Sequence, residues 1–190
     1  MILRSEGDTK LKVRLQTSKF SDKDHVKLQK AINKMAFVLS TDDFKNFVLD
    51  FSYNVKVCKG FYVWKTCKSV TRYGMRYNDL DDKKNLTQSQ IYNAIMSGSE
   101  RLIPEKDQEA DIFLELDKKN KKGVLGYTYP STIWQWVYNS FFKNANYHEV
   151  SGNLTHEWCH KIGFGHEKKY NWKRKFTVPY SVGYFVRDYK

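Results

Sequence analysis

The chain has 190 residues and a formal net charge of +12, with 41% apolar and 28% charged residues. This composition is ordinary for a globular protein, and the length predicts a single domain over residues 1–190, which we expect to be a monomer. No stretch approaches about eighteen consecutive apolar residues, so no membrane span is expected. The N-terminus has no apolar stretch typical of a secretory signal, which leaves a cytoplasmic protein or a secreted mature form.

Charge and cysteine content narrow the kinds of partner and site. The positive charge favours acidic partners or surfaces, but it is spread over lysine-rich patches rather than one arginine stripe, so an ordinary solvated surface is favoured over a nucleic-acid interface. The three cysteines contain no Cys-x-x-Cys pair, which argues against a structural zinc site and against a dense disulfide framework. Cys58 and Cys67 either pair or stay reduced, and the sequence leaves both open. Cys159 is predicted to pack in the core.

Apolar periodicity predicts helices and strands throughout the first half of the chain. The predicted elements are a strand at 10–16, helices at 21–40 and 44–49, a strand pair at 51–57 and 61–64, a surface loop at 71–86 and a helix at 87–96.

The second half contains three predicted strands followed by two predicted helices. They are strands at 110–116, 124–129 and 133–142, and helices at 146–162 and 180–186. The segment 133–142 is largely apolar, and its β-branched and aromatic content favours a central strand over a buried helix. Asn146 with Glu149 three residues later predicts a capped start for the helix at 146–162.

The strongest signal is the motif that begins with His156-Glu157 and continues with His160, Gly163 and His166. On an α-helix, residues four apart lie about 40° apart around the axis and about 6 Å along it. His156 and His160 would therefore point their imidazoles at one ion. Glu157 lies about 100° round from His156, beside the ion, where it would hold and deprotonate a metal-bound water.

The third histidine requires the helix to end. A continued helix would place His166 about 240° round from His160, where it could not join the other two ligands. Gly163 allows the chain to turn because it adopts a positive φ without a Cβ penalty. Three histidines leave the fourth position of a tetrahedral Zn²⁺ open for water, as in catalytic sites. The motif therefore predicts one catalytic zinc ion.

These residues resemble the extended motif of the metzincin zinc endopeptidases, and residues 163–167 are similar to its astacin variant. The resemblance implies an α+β fold with a twisted, mostly parallel sheet, an antiparallel edge strand, a backing helix and an active-site helix. It also implies a metallopeptidase catalytic domain that hydrolyses protein or peptide substrates with a metal-bound water activated by Glu157. The edge strand would bind extended substrate, and Gly126 and Tyr127 are the residues expected there.

The chain departs from the metzincin pattern after the motif. Metzincins place a methionine turn beneath the zinc, whereas all four methionines of this chain precede His156. Val178 is the candidate substitute, in an extended or turn geometry imposed by Pro179. By the same resemblance Tyr180 would lie near the metal and would ligate zinc or stabilise the tetrahedral oxyanion.

Two other functions remain as alternatives. A bacterial endoribonuclease family has a similar three-histidine motif, and the positive charge would suit RNA. That family carries Gly after the first histidine and Asp before the last, where this chain has Glu157 and Gly165. The second alternative is a catalytically inactive module that binds zinc for stability, which the missing methionine makes conceivable.

Overall fold

The computed structural model describes residues 1–59, 66–76, 78–79, 86–121, 123–166 and 171–190. Within these residues, no helix combines the length and the apolar character needed to cross a membrane. The α-helices are α1 (Asp22–Leu39), α2 (Asp42–Leu49), α3 (Gln88–Met96), α4 (Asn139–Asn144), α5 (Tyr147–Ile162) and α6 (Val178–Asp188). The strands are β1 (Ile2–Arg4), β2 (Lys12–Ser18), β3 (Ser52–Lys59), β4 (Thr66–Tyr73), β5 (Asn78–Asp79), β6 (Glu109–Asp117), β7 (Gly126–Thr128), β8 (Trp134–Tyr138) and β9 (Phe164–Gly165).

Five strands form the main sheet, in the order β1-β2-β6-β8-β7. The pairs β2–β6 and β6–β8 are parallel, whereas β1–β2 and β7–β8 are antiparallel. The fold is therefore α+β with a mixed sheet, and the expectation of a mostly parallel sheet is corrected. The two outer pairs are antiparallel because a short connection can reverse the chain, while a parallel pair needs a long crossover. Strand β7 is an antiparallel edge.

The core lies between one face of this sheet and helices α1 and α5. Alternate residues of β2 and β6 are buried, and the parallel register aligns Val13 with Ala110 and Leu15 with Ile112. These side chains join apolar residues of both helices in one hydrophobic cluster. The strand predicted at 10–16 corresponds to β2, and the helix predicted at 21–40 corresponds to α1. Their apolar faces form the two sides of this core. Helix α1 is the backing helix of the sheet.

A separate strand pair, β3 and β4, carries the disulfide. The two strands are antiparallel, and Cys58 lies opposite Cys67 in the register. Their Cα atoms are 4.0 Å apart and their sulfurs are bonded, which answers the question left open by the sequence. The predicted second strand at 61–64 lies outside the described residues. Cys159 is unpaired and buried, as predicted.

The apolar segment 133–142 divides into two elements, so its prediction as one strand is wrong beyond Tyr138. Strand β8 ends at Tyr138 and helix α4 begins at Asn139. Phe142 of this helix is fully buried. Both elements are short and neither shows a clear period of its own within 133–142, so periodicity could not place the boundary between them.

A buried carboxyl group, Glu100, joins the sheet to helix α5. Its side chain is 3% exposed. One oxygen accepts hydrogen bonds from the backbone N–H of Asp111, at 2.9 Å, and from the indole N–H of Trp158. Burial raises the pKa of Glu100 to about 7, although the hydrogen bond from Trp158 acts in the opposite direction. The protonated form is therefore favoured in the folded protein.

We expect the free energy of unfolding to fall as pH rises from about 4.5 to about 7, because Glu100 must lose a proton that the folded protein holds more tightly. The loss from this group is on the order of 3 kcal/mol. Glu100→Gln keeps the accepting oxygen and should remove this part of the pH dependence, measured by denaturant unfolding at pH 5 and pH 8. Other buried carboxyl groups contribute equally to both proteins, so identical pH profiles would contradict the assignment.

Candidate metal centre

Helix α5 carries the first half of the motif and begins where the sequence predicts. The side chain of Asn146 accepts hydrogen bonds from the N–H groups of His148 and Glu149, at 2.9 and 3.0 Å. The Glu149 carboxylate accepts one from the Asn146 N–H at 2.8 Å, which completes a capping box. The helix ends at Ile162, and Gly163 follows with φ 123°. Such a φ favours glycine, as predicted.

The turn after α5 brings three imidazole rings together. The ring centroids of His156 and His160 are 5.0 Å apart, and His166 lies 5.5 Å from the first ring and 4.9 Å from the second. Each ring offers one nitrogen, and these nitrogens all lie within 4.8 Å of one another. The convergence of the three histidines is therefore confirmed, and the group can hold a metal ion.

Backbone carbonyls orient two of the rings. His160 donates from Nδ1 to the carbonyl of Phe164 at 2.7 Å, and His156 donates to the carbonyl of Pro179. Because a neutral imidazole has one N–H, each of these rings keeps its other nitrogen as a free electron-pair donor. Both carbonyls lie outside α5, so the orientation of the ligands depends on segments that follow the helix.

The same two rings are neutral at physiological pH. Burial, followed by the adjacent imidazoles, lowers the pKa of His156 well below its usual value. Burial and the neighbouring His166 lower the pKa of His160 to about 4. The guanidinium of Arg174 acts in the same direction on both, and its Nη2 lies 3.3 Å from Nε2 of His166. Neutral imidazole is the form that ligates metal.

A polar segment before α3 holds the ligand loop in place. Strand β5 pairs with β9, which contains the two residues preceding His166. The backbone of Arg76 exchanges hydrogen bonds with Phe176 and Val178, at 2.9 and 2.8 Å. The prediction of a surface loop at 71–86 is therefore wrong for 71–73, 76 and 78–79, which pair with other segments, although 71–73 are exposed as predicted. Polar residues gave no periodicity, yet their backbone groups pair as well as those of apolar residues.

Helix α6 crosses α5 at a contact between two glycines. A Cβ atom on Gly183 would lie 2.9 Å from the carbonyl oxygen of Gly152 and 3.1 Å from Cβ of His156. A Cβ on Gly152 would lie 2.7 Å from the carbonyl oxygen of Gly183. Larger residues would force the helices apart. This close approach brings the first turn of α6 to the histidines, with the Tyr180 ring centroid 4.5 Å from that of His156.

Tyr180 lies at the site in helix α6, as the predicted helix at 180–186 requires, whereas the extended or turn geometry predicted for Val178 is wrong. Val178 is the first residue of α6, not an extended residue, and Thr177 before it has the extended conformation. Proline is tolerated in the first turn of a helix because no N–H is required there. The Tyr180 ring also lies 5.0 Å from the His166 ring and 5.0 Å from the Arg174 guanidinium.

Glu157, the residue that follows His156 on α5, is buried, with 7% of its surface exposed. Burial raises the pKa of its carboxyl group to about 8, and the positive charge of Lys161 one turn later opposes this shift. A carboxylate in this environment accepts a proton more readily than one in water. The structure thus places a group of raised proton affinity on the residue next to the first ligand.

Gly126 and Tyr127 lie on β7, the edge of the main sheet. A Cβ atom on Gly126 would lie 2.6 Å from the carbonyl oxygen of Trp136 and 3.0 Å from Oδ1 of Asn153, so the strand packs closely on α5. The Tyr127 ring stacks on that of Trp136 at 5.1 Å. Its hydroxyl donates to Asp117 at 2.9 Å. The Tyr127 side chain is therefore engaged within the sheet through Trp136 and Asp117.

Four further residues shape the site without having been predicted: Arg174, Gly152, Gly183 and Lys161. Arg174 occurs in a run of basic residues that the sequence could only identify as a polar connection. The two glycines fall inside helices without a distinctive spacing. Only the crossing of α5 with α6 shows that these glycines allow the two helix backbones to approach closely.

Comparisons with protein-family models, with curated proteins and with solved structures gave no match to this chain. Its function is therefore inferred from the chemistry of the site.

We expect Gly183→Ala to lower the free energy of unfolding by roughly 1–3 kcal/mol, because the added methyl group meets backbone and His156 atoms. The affinity of the three-histidine group for a metal ion, measured with added Zn²⁺ as the probe in competition with a chelator, should fall as well, since His156 is displaced. Alanine is the better helix former, so any loss reports on the helix crossing. Ser89→Ala, on the exposed face of α3, is the matched control and should change neither quantity. Wild-type stability and affinity in Gly183→Ala would refute the role of the crossing.

Proposed function

We propose that this protein is a zinc-dependent endopeptidase in which Glu157 is the general base. The observation that carries this proposal is the convergence of three histidine nitrogens within 4.8 Å, next to a buried glutamate on the same helix. A purely structural zinc site has no use for an acid and base of this kind, whereas hydrolysis requires one.

The donor set fits zinc. Imidazole nitrogen is a common zinc ligand, and three protein ligands with one remaining position are typical of catalytic zinc. The rings of His156 and His160 are neutral, and each has one nitrogen bonded to a carbonyl, which is the usual arrangement around metal-ligating histidine. When bound, zinc would lower the pKa of a coordinated water and polarise the carbonyl of the scissile bond.

Glu157 supplies the proton transfers. Its carboxylate takes a proton from the attacking water and later delivers it to the leaving amine of the peptide. A base acts best when its pKa lies near the working pH, and burial moves Glu157 in that direction. Tyr180 and Arg174, which lie against His166, would stabilise the negative charge that develops on the carbonyl oxygen.

Strand β7 would hold the substrate. An extended peptide can add to an open sheet edge through main-chain hydrogen bonds, without requiring particular side chains. Gly126 and Tyr127 are the proposed binding residues on this edge, and the close packing of Gly126 on Asn153 keeps the strand near α5. A sheet with an antiparallel edge strand, the backing helix α1 and the ligand-bearing helix α5 together support a metzincin-like fold.

We expect about one zinc ion per chain in protein dialysed against zinc and then against buffer, determined by elemental analysis. His160→Ala should lose this zinc because only two imidazoles remain. His148→Ala is the matched control, since His148 lies on the same helix but bonds to Lys34 at 2.7 Å, away from the three ligands. Equal zinc content in all three proteins would contradict the site.

Glu157→Gln should retain zinc but lower the cleavage of an unfolded protein by about 10² to 10⁴-fold, because an amide cannot accept the proton. Glu105→Gln, at an exposed position, is the control and should cleave normally. Undiminished peptidase activity in Glu157→Gln would remove Glu157 from the mechanism.

The same proteins distinguish the alternatives when single-stranded RNA is added to the substrate panel. Cleavage of RNA without cleavage of protein would favour the endoribonuclease that the charge of +12 suggests. Zinc binding with neither activity would favour an inactive zinc-binding module.

A further inference from the structure

Lys161, the residue after the second ligand, makes an unusual set of contacts for a lysine. Its side chain is only 7% exposed. The ammonium donates to the backbone carbonyls of Tyr129 at 3.1 Å, Thr132 at 2.5 Å and Trp134 at 2.8 Å. All three carbonyls belong to the connection between β7 and β8 or to its immediate borders. One side chain of α5 therefore holds the whole turn.

The burial of this ammonium is compensated by these bonds. Removing a charged amine from water is expensive unless its donors are satisfied, and charge-assisted hydrogen bonds are stronger than neutral ones. All three donors of the ammonium have a carbonyl acceptor. The backbone carbonyl of Lys161 also accepts a hydrogen bond from the Arg101 N–H at 2.9 Å. Segment 100–103 and the β7–β8 connection are thus both attached to the same residue, and both border a pocket beside His160.

Lys161 is one of two anchors that place β7 along α5. The first is the packing of Gly126 on Asn153, and the second is the bond from Lys161 to the carbonyl of Tyr129, directly after the strand. Three steps of extended chain, from 126 to 129, span about 10 Å. Eight steps of helix, from 153 to 161, span about 12 Å. Between its anchors, β7 therefore runs beside the helical segment that bears Glu157.

We propose that Lys161 is a positioning residue for the hydrolysis of extended peptides, an inference that rests on the proposed function. Its ammonium sets the open edge of β7 at a defined distance from Glu157 and the histidines. A peptide that adds to this edge as a strand then presents its scissile bond at the metal centre. The benefit of Lys161 belongs to substrates long enough to pair with β7, and a substrate that occupies only the metal centre gains nothing from it.

A purely structural role for Lys161 predicts a different effect of its loss on the cleavage of long and short substrates. If the ammonium only stabilised the fold, its loss would reduce the fraction of folded enzyme, and every substrate would be affected by the same factor. A positioning role predicts a loss that depends on substrate length, which can be measured as a ratio within one protein preparation.

The test compares Lys161→Met, which keeps the length of the side chain and removes its donors, with wild type in the zinc-loaded form. A long peptide and a blocked dipeptide with the same scissile bond are the two substrates. We expect kcat/KM for the long peptide to fall by roughly 10 to 100-fold, the effect of a misplaced substrate, while the dipeptide is cleaved at the wild-type rate. Zinc content should be unchanged. Lys143→Met, at an exposed lysine of α4, is the matched control and should resemble wild type.

Two further variants keep the proposal testable if Lys161→Met folds poorly. Lys161→Arg retains several donors and should recover part of the activity on the long peptide. Gly126→Ala disturbs the other anchor, where a Cβ would meet the Trp136 carbonyl oxygen at 2.6 Å, and should show the same dependence on substrate length.

Equal losses on both substrates, wild-type kinetics on the long peptide, or loss of zinc from Lys161→Met would each overturn the positioning role. Failure of the proposed function is recognised separately: wild-type protein would then carry zinc and cleave neither peptide, and the role of Lys161 would fall with it.

Discussion

The cluster of three histidines depends on the reversal of the backbone at Gly163. Two ligands, His156 and His160, need a continuous helix to share a face, whereas His166 can reach them only if that helix stops. A residue at φ 123° satisfies both demands within a few residues, because glycine adopts this conformation without a steric penalty. The two-residue strand β9 then leads directly into the third ligand, and its pairing with β5 holds the reversed chain in place.

Helix α5 makes close contacts on two sides, and each contact contributes a different part of the site. On one side α6 approaches through Gly152 and Gly183 and brings Tyr180 to the ligands. On another side Lys161 ties the helix to the turn after β7. Burial between these contacts raises the pKa of Glu157. Burial and neighbouring charges lower the pKa of His160, which keeps that ring neutral. A carboxyl group of raised pKa and neutral histidines thus arise from the same desolvated environment.

Much of the local structure followed from the sequence. The capping box at Asn146 and the helical stripe of α1 are short-range patterns, and both elements appear where they were predicted. The sequence could not divide 133–142 into β8 and α4, because this short run shows neither a clear period-two alternation nor a clear helical period at the boundary. It could not distinguish a mixed sheet from a mostly parallel one either, since strand direction depends on how the connections pack.

The sequence by itself determined a helix with two imidazoles and a glutamate near its end, followed by a turn and a third imidazole. These features follow from residues at most ten positions apart and from the fixed geometry of the α-helix. Only the tertiary structure decided which groups surround them: the carbonyl of Pro179, the guanidinium of Arg174, the backbone of Arg76 and the edge of β7. Their positions depend on packing between segments distant in the chain, and no local pattern of residues specifies such contacts.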